Sequence, residues 1–131
     1  GNEALSYYDE GSWTPTLNAG GTLTVSNARY IRVGDLVNIW ALLQNIQDTT
    51  DGSDVFRVQS LPFSPSIASV VGNCMMHGIP FTAGRANLNV YTDGTDLLFY
   101  QTITNAAWDA ITWGDINDND DIYFNATYTV Q

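Results

Sequence analysis

The sequence predicts an all-β chain folded as an antiparallel β-sandwich of jelly-roll type. Apolar runs are short and separated by turns rich in Gly, Pro, Asn and Asp, and the last segment alternates apolar and polar residues over Ile122–Val130. No stretch combines helical periodicity with a capping box. Roughly eight to ten short strands result, the pattern of an antiparallel sandwich or jelly roll. At 131 residues with 44% apolar content, the chain fits a single domain with a globular core. The expected division is a lead-in over 1–6 and one β-sandwich over 7–131. Residue 1 is Gly and not Met, which reads as a piece of a longer protein joined to something upstream.

Tyr7–Leu17 is an extended segment punctuated by Gly11 and Pro15, and Pro15 lacks a backbone donor, so it belongs at a sheet edge. Asn18–Gly21 is a turn by composition. Thr22–Ser26 alternates as a half-buried strand, and Ser26–Asn27 reads as a turn into the next run. Tyr30–Ile46 is the stretch on which the rest must pack, two extended runs joined at Gly34–Asp35. Its second run, Leu36–Ile46, is the longest apolar run in the chain. Its odd positions Val37, Ile39, Ala41, Leu43 and Asn45 form the cleaner apolar face, opposed by Trp40 and Leu42. A strand apolar on both sides is covered on both within the domain, or on one by another subunit.

Asp48–Asp54 is a polar loop, and Val55–Leu61 resumes alternation with Phe56 and Val58 on one side. Two prolines make Leu61–Ser66 an extended corner. Ile67–Gly78 is strand-like with an interruption at Gly72, and Ile79–Gly84 turns the chain. Asn87–Thr92 and Asp96–Ile103 flank Asp93–Gly94 as a hairpin. Asn105–Ile111 is a loop or one loose helical turn, and Ile122–Val130 is a final strand expected to close the sheet.

Charge narrows the partners. Fourteen acids against four arginines and no lysine give a formal charge of −10. Such a chain repels phosphate backbones and anionic membrane surfaces, so nucleic acid is not an expected partner. No apolar run reaches the roughly 18 residues of a helical span, so no membrane insertion is expected and the chain reads as soluble. Cys74 is the single cysteine and cannot form an internal disulfide.

Few constellations carry chemistry. Cys74 and His77 have the spacing of metal or thiol sites, but residues three apart on a strand point to opposite faces. Cys74 therefore reads as a small core residue beside Met75 or Met76. No Gly-x-Ser-x-Gly elbow accompanies a serine, and spacing singles out no carboxylate pair for glycoside hydrolysis. Asp115-Ile-Asn117-Asp-Asn119-Asp-Asp121 begins like a calcium loop. It lacks the Gly of the sixth position, where Asp120 stands, and the acid of the twelfth, where Ala126 falls in a strand. A solvated turn rich in Asx hydrogen bonds is favoured, with a Ca²⁺ loop of another type the alternative; no other cofactor is expected. Trp108 and Trp113 lie beside Asp109, Asp115 and Asn117, an assembly of aromatic faces, carboxylates and amides suited to sugar rings. Core or interface packing is the alternative for each tryptophan.

Four segments, Tyr8–Pro15, Tyr30–Val37, Leu61–Ser64 and Ile122–Tyr128, resemble in order and spacing the C-terminal domain of many tailed-phage tail fibres and related virion proteins. The resemblance covers nearly the whole chain except 105–121, and none of its motifs is catalytic. It implies a β-sandwich that forms a homotrimer at a fibre tip in the virion, with Trp40 and Leu42 at the trimer interface. It also implies distal loops that touch a bacterial surface glycan or protein. The expected function is thus host attachment without catalysis. The alternatives are a structural or capsid-decorating virion domain and a carbohydrate-binding or depolymerase-associated module.

Overall fold

The computed structural model describes residues 7–50, 52–66, 71–81, 84–103 and 105–130. Ten strands follow in order: β1 (Tyr8–Ser12), β2 (Thr16–Leu17), β3 (Thr24–Val33), β4 (Leu36–Ile46), β5 (Arg57–Gln59), β6 (Val71–His77), β7 (Ala86–Asp93), β8 (Asp96–Thr102), β9 (Asp109–Ala110) and β10 (Asp120–Thr129). Among the described residues the helical structure is one 3₁₀ turn, Trp113–Asp115. The all-β antiparallel expectation holds, since every strand pairing is antiparallel.

Hydrogen bonding runs unbroken through a single sheet in the order β1-β3-β4-β10-β6-β7-β8-β5-β2, with β9 added to β8. It does not divide the strands into two separate sheets. Consecutive strands β1 and β2 stand at opposite ends of that order, joined only by Trp13, Thr14 and Pro15. A flat sheet would hold its edges about 38 Å apart at about 4.8 Å per strand, whereas this link spans at most about 14 Å. The sheet must therefore curl strongly until its edges approach. Ring contacts across the interior agree: Phe99 of β8 lies 5.8 Å from Phe124 of β10, and Trp13 lies 6.3 Å from the same ring.

β4 carries the core as its alternation predicts, with Val37, Ile39, Ala41 and Leu43 fully buried. Asn45 then takes a positive φ of 52°, which breaks the alternation and turns Ile46 inward in its place. The β7–β8 hairpin and the inward set Phe56 and Val58 also form as expected. Pro15 sits between the two edge strands, where its missing donor interrupts no ladder.

Three expectations need correction. Ser26–Asn27 is no turn: β3 runs through it, with a register shift between Val25 and Asn27 that absorbs the extra residue. The 105–111 stretch includes β9, which pairs with β8 through Tyr100 and Gln101. The last strand does not close an edge. β10 inserts between β4 and β6, so it is paired on both sides, and its inward residues Ile122, Phe124, Ala126, Tyr128 and Val130 are all buried. Gly72 permits the neighbouring approach, because a Cβ there would strike the Asn125 carbonyl and the Ala126 backbone. The first residues expected in the Ile67–Gly78 strand, 67–70, lie outside the described residues, as does the 1–6 lead-in.

Candidate functional site

The site begins with the β7–β8 hairpin. The Asp93–Asp96 register places Asn89 opposite Tyr100 and Tyr91 opposite Leu98, while Val90 and Phe99 face the core. Period-two alternation therefore puts Asn89, Tyr91, Tyr100 and Thr102 on the outer face. Trp108 precedes β9 and is 65% exposed, its ring edge-on to Tyr100 at 6.4 Å. Tyr100 in turn meets Tyr91 edge-on at 5.2 Å. Arg85 holds this segment on either side of the tryptophan, donating to the Ala107 carbonyl at 3.3 Å and pairing with Asp109 at 3.6 Å.

Between these rings lies an open groove of about 340 Å³, lined by Val71, Asn89, Tyr91, Tyr100, Thr102 and Trp108. Among the described residues no charged side chain lines it. The Tyr100 phenol is pushed above its ordinary value, first by burial and then by its neighbours Tyr91, Asp93 and Asp109, opposed by Arg57. Aromatic faces with a few polar groups fit a ligand having both apolar and hydroxylated surfaces.

The residues named from the sequence do not assemble together. Trp108 and Asp109 stand at the groove, but Trp113 is fully buried and cannot touch a ligand. It packs against Phe56 at 4.9 Å, donates its indole N–H to Asn18 Oδ1 at 3.1 Å, and fills space that a Cβ on Gly21 would occupy. The same Asn18 side chain donates to the Val55 carbonyl at 2.8 Å and accepts from the Arg57 N–H at 2.9 Å. Asp115 caps the 3₁₀ turn, accepting from the Thr112 N–H at 2.9 Å.

Asn117 is exposed, and its backbone N–H donates to Asp120 at 2.7 Å. Asp118 accepts from the Asp48 N–H at 2.9 Å and Asp121 from the Asn45 N–H at 3.0 Å, so the carboxylates of the acidic loop serve separate backbone donors. The stretch is rich in hydrogen bonds to Asx side chains, as favoured above, but two of them come from Asn45 and Asp48, and Asp120 is buried rather than solvated. Among the described residues no group of three or more His, Cys, Asp or Glu side chains could hold a metal ion. Burial raises the Asp120 carboxyl pKa, opposed by the hydrogen bond from Asn117.

Cys74 and His77 do point to opposite faces. The thiol faces inward beside Met76, bonded to the Leu88 carbonyl at 3.0 Å, and burial pushes its pKa up to about 12. The imidazole stands in solvent, 3.9 Å from Asp121. Trp40 and Leu42 are half-buried on the outer face, opposite Asn125 and Tyr123 of β10. Sequence reasoning missed Tyr91, Tyr100 and Asn89, although the Asp93–Gly94 turn already implied the register that brings them together.

No family model matches the chain. Over 97 residues, 70% of its length, it is 34% identical to a capsule KN4-specific depolymerase of Klebsiella phage K64-1. The match spans only 13% of that relative. Its fold is similar to part of the crystal structure of the Dettilon tailspike protein, with a TM-score of 0.69 at 11% identity, covering 93% of this chain and 24% of that one.

Proposed function

We propose that the chain is a non-catalytic binding module of a phage tail-associated protein, holding a bacterial surface glycan in the groove of Tyr91, Tyr100 and Trp108. The observation that carries this is the groove itself: three edge-to-face rings with an amide and a hydroxyl beside them, free of charge on a chain of −10. Its likeness to segments of a capsule depolymerase and a tailspike supports a tail setting in the virion. In that setting the module sits as a tip domain and works as a homotrimer. Three weak sites on one assembly then bind by avidity, because the second and third engagements are intramolecular. A structural virion domain is the rival, favoured by the exposed apolar Met75 beside Trp40 and Leu42, which assembly between copies would cover.

The test is an array of purified bacterial capsular and lipopolysaccharide glycans, probed with the chain and with Trp108→Ala. Binding by the chain and its loss in the variant are expected. Equal signals from both proteins, or none from either, would overturn the assignment.

A further inference from the structure

One rung of hydrogen-bonded neighbours crosses the outer face from the groove to Trp40. Tyr100 lies opposite Asn89, Asn89 opposite Asn73, Asn73 opposite Asn125, and Asn125 opposite Trp40. Three asparagines on β7, β6 and β10 thus stand in line between a tyrosine on β8 and a tryptophan on β4. Asn73 and Asn125 are exposed, and Met75, 66% exposed, stands beside them. Depressions lie along the rung. The groove of about 340 Å³ shares Asn89 with a second depression of about 480 Å³, which shares Asn73 and Met75 with a third of about 380 Å³ reaching Trp40 and Leu42. Among the described residues no charged side chain lines any of the three. Among the described residues, charged groups stand at the margins, with Asp109 and Arg85 at one end, Arg29 opposite Trp40 at the other, and Asp121 and His77 to one side.

We infer that this rung is a track for an extended, uncharged stretch of glycan, which continues from the Trp108 groove across β7, β6 and β10 to Trp40. The inference rests on the binding reading above and deepens it. From β8 to β4 the track crosses four strand spacings, about 19 Å, room for several linked sugars rather than one terminal residue. Asn73 and Asn125 each offer two donors and an acceptor, and Asn89, whose amide already donates to the Gly72 carbonyl at 3.5 Å, offers an acceptor and one donor; this matches a row of sugar hydroxyls, and aromatic rings close both ends. An acidic glycan would gain no cation along the track and would approach a chain of −10, so uncharged sugars are selected. Apolar side chains between the amides suit the less polar faces of the same rings.

The experiment titrates the chain by calorimetry with oligosaccharides from dextran, galactan and mannan, disaccharide to octasaccharide. Alginate and hyaluronate oligosaccharides of equal length serve as acidic comparators. Affinity for at least one neutral series should rise at least tenfold with length. Asn73→Ala/Asn125→Ala, two exposed changes, should erase that increment and leave disaccharide binding intact, while Trp108→Ala removes binding at every length. Length-independent affinity that still needs Trp108 would overturn the track and spare the groove. Tighter binding of the acidic series would also overturn the track. Absence of binding to any series would overturn both. Light scattering on Asn125→Arg covers the competing occupant: if the substitution dissociates an oligomer, the rung is buried between copies and the track is wrong.

Discussion

Trp108 and Trp113 stand five residues apart in one polar stretch, yet one is 65% exposed and the other fully buried. The difference lies in what the rest of the chain brings to each. Trp113 enters a slot assembled from distant segments, with Asn18, Gly21 and Phe56 around it. Trp108 meets only the outer face of the β7–β8 hairpin and is held by Arg85 through its chain neighbours. A tryptophan in a loop is thus a core residue or a ligand platform according to whether a remote partner closes over it.

The widest separation between the two should appear in stability. Trp113→Ala empties a fully buried site and should cost about 3–5 kcal/mol, read as a lower urea midpoint. A midpoint unchanged from the parent would mean that the slot does not exist. Asn18→Ala tests the same slot from the other side. It leaves the indole N–H, the Val55 carbonyl and the Arg57 N–H without their partner, for an expected loss of about 2 kcal/mol. If the loss is negligible, water replaces the amide and the slot is open.

A smaller effect distinguishes the acidic loop beyond Trp113. Asp120 has a higher pKa folded than unfolded, so the native state binds its proton more tightly. Stability therefore falls as pH rises from the ordinary carboxylate value through the raised one, and the penalty is complete above that window. Asp120→Asn should raise Tm by roughly 1–3 °C at pH 7 and converge with the parent in acid. A variant less stable at pH 7 would show that the charged form is favoured in the fold. Smallest of all is Trp108→Ala, expected to shift stability by less than about 0.5 kcal/mol even as it abolishes glycan binding. A loss comparable with that of Trp113→Ala would make Trp108 a structural residue and erase the contrast.

Much of the fold was legible because alternation is a local property. Val37 to Leu43, Phe56 with Val58, and Ile122 to Val130 each announce a buried face from their own residues, and Asp93–Gly94 announces its hairpin. The edge role of the Pro15 segment follows from a missing donor in one residue. Two local readings failed at backbone irregularities. The β3 bulge and the positive φ of Asn45 each change which side chains face inward without a clear mark in composition.

Of the candidate site, Trp108 and Asp109 were visible as residue types, and the turn register could have supplied Asn89, Tyr91 and Tyr100. Trp113 was misassigned because its slot is built by residues 18–21 and 56, far away in sequence. By itself the sequence determined most of the strands, the buried faces of Val37 to Leu43, Phe56 with Val58 and Ile122 to Val130, and a formal charge of −10. The tertiary structure alone decided that β10 lies between β4 and β6, that the sheet curls edge toward edge, and that three asparagines from separate strands fall on one rung. The physical reason is range. A side chain's face is set by its own neighbours in the strand, whereas strand order and cross-strand register are set by pairings between segments that the chain brings together only on folding.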